Sequence, residues 1–215
     1  MNCLITATDT DAGKTYVTRR LLEALRASGK RVAGYKPMCC GARNDVIELQ
    51  AGGEPGLEED RINPVWMKTP AAPLVASMFE NVKIDPAELV KGYQELADIY
   101  DHVLVEGVGG WEVPITQDYS FSDFAKDLKL PILLVVNNKL GALNHALLTL
   151  NAIKAKGLTC AGMIFNHQEE EQTTATVTNK GIIESLTDVP VLTDVIPDQE
   201  EIELWPFEEV FGIEA

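Results

Sequence analysis

Two kinds of apolar pattern alternate along this chain. Short continuous runs, such as Cys3-Leu4-Ile5 and Ile132-Leu133-Leu134-Val135-Val136, read as strands buried on both faces. Between them the apolar residues recur at helical spacing, as in Val17, Leu21, Leu22 and Leu25, or Leu89, Tyr93, Leu96 and Tyr100. Strands are therefore expected at residues 2–7, 31–36, 102–105, 131–136, 158–165 and 189–196, with a further short one at 63–67. Helices are expected at 14–28, 44–51, 74–79, 121–128, 141–156 and 173–186, and from the start signal Asp85-Pro86-Ala87-Glu88 through Tyr100. Gly29 ends the first helix, with Lys30 and Arg31 near its negative end. Pro37 stops the second strand, and a loop is expected through Cys39-Cys40-Gly41. Residues 52–60, rich in Gly, Pro and Glu, read as an exposed loop, and the acidic tail 200–213 as a packed terminal helix or turn. The alternation predicts an α/β fold, a parallel twisted sheet with helices on both faces, whose ligands bind at the carboxyl ends of the strands. No internal repeat or low-complexity linker divides the 215 residues, which suit a single domain.

The chemistry starts between the first strand and the first helix. The stretch Ala7-Thr8-Asp9-Thr10-Asp11-Ala12-Gly13-Lys14-Thr15 has the Gly-Lys-Thr of a P-loop, with Thr8 where the first Gly usually stands. Strand, tight loop, helix is the order such a loop requires, so the fold expected is of the P-loop NTPase type. Backbone N–H groups at the helix start would cradle phosphate oxygens. Lys14 would reach the β- and γ-phosphates, and the Thr15 hydroxyl would ligate Mg²⁺.

Composition narrows the class. A hydrophobic content of 46% and a charged content of 24% are ordinary for a soluble globular protein. The net charge of −15 argues against a nucleic-acid partner and against docking on anionic lipid. The four cysteines, Cys3, Cys39, Cys40 and Cys160, form no Cys-x-x-Cys pair and have no His cluster beside them, so free thiols are expected and a zinc site is not. No basic-then-apolar leader and no apolar run near the roughly 18 residues of a membrane span appear, and a cytoplasmic enzyme is the simplest expectation.

Further candidates fall at strand ends. Glu106 closes Val103-Leu104-Val105 and is followed by Gly107-Val108-Gly109-Gly110. An acid there, paired with a P-loop, is the Walker-B arrangement for Mg²⁺; the competing reading is a surface carboxylate before a glycine turn. Asp45 either completes the metal shell or is a plain helix-start acid. Lys36, at the end of the second strand, either faces the phosphates or is a solvated strand-end Lys. Residues 137–145, Asn137 through His145, open a helix that either binds a carboxylate or is a turn with capping Asn residues. Asn166 ends a strand where an Asn can read a nucleotide base edge.

Together these stretches resemble the dethiobiotin synthetase family, ATP-dependent enzymes of biotin synthesis. The resemblance covers roughly residues 4–197. It is carried by Thr8-Asp9-Thr10 with Gly13-Lys14-Thr15, Gly34-Tyr35-Lys36-Pro37, Val105-Glu106-Gly107-Val108-Gly109-Gly110-Trp111, the run 131–136, Leu140-Gly141 with Asn144-His145-Ala146, and Ile196-Pro197. It implies a reaction of 7,8-diaminononanoate, CO₂ and MgATP, through a carbamate and a carbamic–phosphoric anhydride, to dethiobiotin, ADP and phosphate. By the same resemblance Lys36 is the active-site lysine, with Lys14 and Thr10 catalytic beside it. Thr15, Asp45 and Glu106 hold Mg²⁺. Asp11, Ala12, Gly13, Tyr16, Gly107, Val108 and Gly109 join the nucleotide site. Asn166 and Pro197 flank the adenine, with Ile196 and Asp198 in the same set. The family acts as a homodimer with substrate near the interface. There Gly141, Asn144 and His145 of the partner subunit would take the substrate carboxylate, and Cys40 would lie near the substrate. Departures from the family pattern are Ala7 for Gly, Cys40 for Ser, Ala72-Pro73-Leu74 for Ser-Pro-His, Thr193 for Gly, and a shortened stretch between Lys36 and Asp45.

Three other readings meet the same sequence. A regulatory P-loop ATPase of the partition or division type carries an early signature lysine where this chain has Asp9. A non-catalytic nucleotide-binding domain would not need Lys14, Lys36 and Glu106. A related amidoligase would need a glutaminase Cys-His domain.

Overall fold

The computed structural model describes residues 1–213. In chain order the elements are β1 (Cys3–Ala7), α1 (Lys14–Ala27), β2 (Val32–Tyr35), β3 (Met38–Cys40), α2 (Asn44–Gly52), α3 (Glu59–Ile62), β4 (Val65–Met67), α4 (Pro73–Glu80) and α5 (Pro86–Ala97). They continue with β5 (His102–Glu106), α6 (Phe121–Leu128), β6 (Ile132–Asn137), α7 (Ala142–Ala155), β7 (Cys160–Asn166), α8 (Thr174–Leu186), β8 (Val191–Val195), a 3₁₀ turn (Trp205–Phe207) and α9 (Glu208–Phe211).

The main sheet has the order β2-β5-β1-β6-β7-β8, and every pair in it is parallel. β1 lies inside it, with Leu4 opposite Val105 on one side and Ile132 on the other. Helices cover the faces, so the strands can be apolar throughout: Leu4, Ile5, Leu104, Leu134 and Phe165 are all buried. The helix signals are met locally. Asp85 Oδ1 accepts from the Ala87 N–H at 3.0 Å, and Ser120 and Asp123 form a capping box at the start of α6. Gly29 follows α1 at φ +84°, a left-handed position suited to glycine.

Two expectations need correction. Met38–Cys40 is a strand, not a loop: beyond Pro37 the chain pairs with β4 in a second, two-stranded parallel sheet. Residues 52–60 are not simply an exposed loop. Gly52, Gly53 and Leu57 are buried and the Glu54 N–H donates to the Val32 carbonyl at 2.9 Å; just beyond, Ile62 is buried and its carbonyl accepts from the Lys36 N–H at 2.8 Å. This segment covers the outer edge of β2, which would otherwise present unpaired backbone groups. The tail divides into the 3₁₀ turn and α9, with Phe207 and Phe211 buried. Among the described residues no helix is long and apolar enough to cross a membrane.

Candidate active site

The carboxyl ends of β1, β2 and β5 meet at one cleft of about 470 Å³, lined by the P-loop residues Thr10, Asp11, Gly13, Lys14 and Thr15 together with Lys36, Asp45 and Gly109. The P-loop is shaped by its backbone. The Thr8 N–H donates to the Val135 carbonyl at 3.0 Å, fixing the exit of β1. Asp11 at φ +57° and Gly13 at φ +91° then turn through the left-handed region, the alternation that lets successive N–H groups form an anion-binding concavity. Gly13 is required on two counts: its φ, and a Cβ there would stand 2.0 Å from Asn166 Nδ2.

Lys36 is the centre of the charge arrangement. Its ammonium is buried and donates to Glu106 Oε1 at 2.6 Å and to the Gly107 carbonyl at 3.1 Å, with Asp45 Oδ2 at 2.7 Å. β2 and β5 are neighbours, which brings these strand-end residues together. Asn63 Nδ2 donates to the Lys36 carbonyl at 2.8 Å and holds its backbone. Burial opposes the charge on Lys36, but Glu106 and Asp45 outweigh it and hold the pKa above the usual lysine value. Burial likewise opposes ionisation of Asp45, and Lys36 overcomes it, holding the carboxyl below its usual range. Lys14 has the opposite balance. Burial first, and the charge of Lys36 second, lower its pKa to about 8, and its Nζ donates to the Asp9 carbonyl at 3.4 Å.

Thr15, Asp45 and Glu106 supply an oxygen-only donor set. The Thr15 hydroxyl donates to Glu106 Oε1 at 2.8 Å, and Glu106 Oε2 is buried with no hydrogen-bond partner. A buried carboxylate oxygen left with open acceptor sites, beside a hydroxyl and a second carboxylate, fits a hard cation such as Mg²⁺, which takes few protein ligands and keeps water and phosphate for the rest.

Other expected residues surround this centre. Cys40 and Val108 line the cleft. Gly107 is buried behind it, its carbonyl on Lys36. Asn166 is buried at the end of β7 and donates from Nδ2 to the Ala12 carbonyl at 3.0 Å. The Tyr16 hydroxyl donates to the Gln199 carbonyl, which ties α1 to the turn holding Ile196, Pro197 and Asp198, the last at φ +59°. Gly141, Asn144 and His145 are not brought to the cleft. They open α7, with Gly141 at φ +92°, Asn144 exposed and His145 half-buried.

Sequence reasoning missed Cys39 and Ala42 in the cleft wall, Asn63 behind Lys36, Gln168 and Gln199. Gln168 donates from Nε2 to the Asp11 carbonyl. Its one sequence signal is its place two residues beyond Asn166.

Residues 1–202 match the family model described as an AAA domain. The ATP-dependent dethiobiotin synthetase BioD of Akkermansia muciniphila is 46% identical over 203 residues, 94% of this chain and 95% of that protein. The chain belongs to the dethiobiotin synthetase family. The BioD of Aromatoleum aromaticum is 44% identical over 172 residues, covering 75% of this chain and 76% of its own. The BioD of Yersinia pestis strain Angola is 36% identical over 204 residues, covering 89% and 85%. Among solved structures, a ParA family ATPase from Chlorobium tepidum superposes with a TM-score of 0.60 at 15% identity, over 92% of this chain and 84% of that one. The septum site-determining protein MinD from Pyrococcus horikoshii, in complex with Mg-ADP, gives a TM-score of 0.58 at 20% identity, over 92% and 82%. These likenesses show that the chain has the P-loop NTPase fold. The sequence relatives are synthetases, so the regulatory reading is not favoured.

Proposed function

We propose that this protein is an ATP-dependent dethiobiotin synthetase, a ligase of biotin biosynthesis that closes a ureido ring on 7,8-diaminononanoate. The observation that carries the reading is the buried Lys36 ammonium held between Glu106 and Asp45 at the mouth of a P-loop. A cation so placed can meet a substrate oxyanion next to the γ-phosphate.

The reaction proceeds in three bond-forming steps. One amine of the diamine attacks CO₂ and loses a proton, giving a carbamate. The carbamate oxygen attacks the γ-phosphorus of ATP, and ADP leaves. The second amine then attacks the carbonyl carbon of the carbamic–phosphoric anhydride, expels phosphate and closes the ring. Lys36 stabilises the carbamate and the transferring phosphoryl group. Lys14 and the P-loop N–H groups bind the phosphates of ATP, with Thr10 near the γ-phosphate. Thr15, Asp45 and Glu106 hold Mg²⁺, which neutralises phosphate charge when bound. Tyr16, Asn166, Ile196, Pro197 and Asp198 border the nucleoside, and Cys40 the diamine. Gly141, Asn144 and His145 lie at a helix start away from their own cleft, which supports their serving the carboxylate of a substrate bound to a partner subunit in a homodimer. The whole chain acts as one ATP-binding domain, in the cytoplasm.

The test is phosphate release from MgATP and bicarbonate, with and without 7,8-diaminononanoate, with the product mass recorded. Diamine-dependent release with dethiobiotin formed is expected. Release independent of the diamine would overturn the reading in favour of a regulatory ATPase.

A further inference from the structure

A phosphate-binding loop works only if its N–H groups point at the ligand. In a trans peptide the N–H of one residue and the C=O of the residue before it point in opposite directions. Each N–H turned inward therefore turns a carbonyl outward, and an outward carbonyl packed against protein needs a donor. The carbonyls of this loop can be followed in turn. That of Asp9 accepts from Lys14 Nζ at 3.4 Å, and that of Gly13 from the Val17 N–H at 3.1 Å, as the first bond of the helix. Of the three between them, those of Asp11 and Ala12 are met by donors from outside the loop and the helix. The Asp11 carbonyl accepts from Gln168 Nε2, and the Ala12 carbonyl from Asn166 Nδ2 at 3.0 Å.

Asn166 ends β7 and Gln168 lies two residues beyond it, so both donors come from more than 150 residues along the chain and not from the adjacent strand β6. Chemistry fixes the orientation of both amides, since only the NH₂ end of an amide side chain can face a carbonyl. Asn166 is 5% exposed, and the Asn138 N–H donates to its backbone carbonyl at 2.9 Å, so its side chain starts from a fixed point. The peptides held are Asp11–Ala12 and Ala12–Gly13, the two that lie between the left-handed residues at 11 and 13. Free to rotate, either peptide could point its carbonyl into the phosphate site.

We propose that Asn166 and Gln168 are positioning residues that brace the phosphate-binding loop, fixing two of its peptides through their carbonyls so that the Ala12 and Gly13 N–H groups face the phosphates. The brace acts on every polyphosphate ligand alike and is independent of the base. It rests on the ATP reading above and adds a role to Asn166 that reading a base edge would not give it.

The experiment measures affinity for Mg-tripolyphosphate, MgATP and MgGTP by calorimetry. It compares the wild-type chain with Asn166→Leu, Gln168→Met and Gln168→Glu. Each loss of a donor is expected to weaken tripolyphosphate and ATP by the same factor, about 3- to 10-fold, the size of one lost hydrogen bond. Gln168→Glu, which sets an acceptor against the carbonyl, should weaken both further. Gln168 is exposed, so its variants should unfold at the wild-type temperature, and they carry the test alone if Asn166→Leu does not fold. Tripolyphosphate affinity unchanged while ATP affinity falls would overturn the brace and leave base reading. Wild-type chain that binds neither tripolyphosphate nor ATP would overturn the ATP reading itself.

Discussion

Gly13→Ala tests the shape of the P-loop with a control built into the same helix. Gly13 and Gly29 flank α1 at φ +91° and φ +84°. An alanine at either position bears the left-handed penalty, roughly 1–2 kcal/mol. Around Gly29 nothing lies within 4 Å of an added Cβ, so the penalty there stands alone. At Gly13 the added Cβ would stand 2.0 Å from Asn166 Nδ2 and 3.1 Å from its Cγ. Asn166 must move, and its bond to the Ala12 carbonyl is lost with it, about 1 kcal/mol more. Gly13→Ala should therefore cost about 2–3 kcal/mol and Gly29→Ala about 1–2 kcal/mol, read as the difference in urea midpoints at constant slope. Where the loop distorts and the fold does not yield, the same 2–3 kcal/mol appears as an ATP affinity on the order of 30- to 150-fold weaker. Gly29→Ala should bind ATP as the wild type does. A Gly13→Ala protein that matches Gly29→Ala in stability and binds ATP within twofold of wild type would refute the collision and the loop geometry derived from it.

Lys36→Ala should lower turnover by at least about 100-fold while ATP affinity changes only a few-fold; full turnover would remove Lys36 from the mechanism. Glu106→Gln should weaken nucleotide binding in the presence of Mg²⁺ and leave Mg²⁺-free binding little changed, and equal losses in the two titrations would sink the metal assignment. His102 supplies a pH dependence away from the site. Burial holds its pKa below the ordinary 6.5, although the Met1 carbonyl it meets at 2.6 Å works the other way. Below pH 6.5 the unfolded chain takes up a proton that the folded one refuses, so stability is present above that value and lost as pH falls through it. Unfolding temperatures measured from pH 7.5 down to 5 should fall less steeply, by no more than one proton's worth, in His102→Gln; identical slopes would show that His102 does not titrate differently in the two states.

The main sheet could be read from the sequence because parallel strands covered on both faces are apolar without interruption, and runs such as 132–136, which follow a proline and are too short for a typical helix, read as strands. β3 was hidden because three residues after a proline carry too little pattern, and its partner β4 is equally short. The P-loop and Glu106 stood out, since strand ends beside glycines are where ligands meet this class of sheet, whereas Lys36 alone reads as a solvated strand-end lysine and drew its role from the family resemblance. That Lys36 touches Glu106 depends on β2 lying beside β5, and strand order is a tertiary fact that no local spacing encodes. Asn166 was visible as a strand end, but not its bond to Ala12, because β6 lies between β1 and β7 and the side chain must reach past it.

The interior position of β1 has a consequence for how the molecule is made. Strand β1 is synthesised well before both its neighbours, β5 from residue 102 and β6 from residue 132. The P-loop that follows β1 is thus made before the strands that enclose it. A nascent chain truncated before β6 would expose an apolar strand edge of β1 and leave its P-loop open on that side. The bonds from Asn166 and Gln168 to the Ala12 and Asp11 carbonyls also make the shape of the P-loop depend on residues more than 150 positions further along the chain.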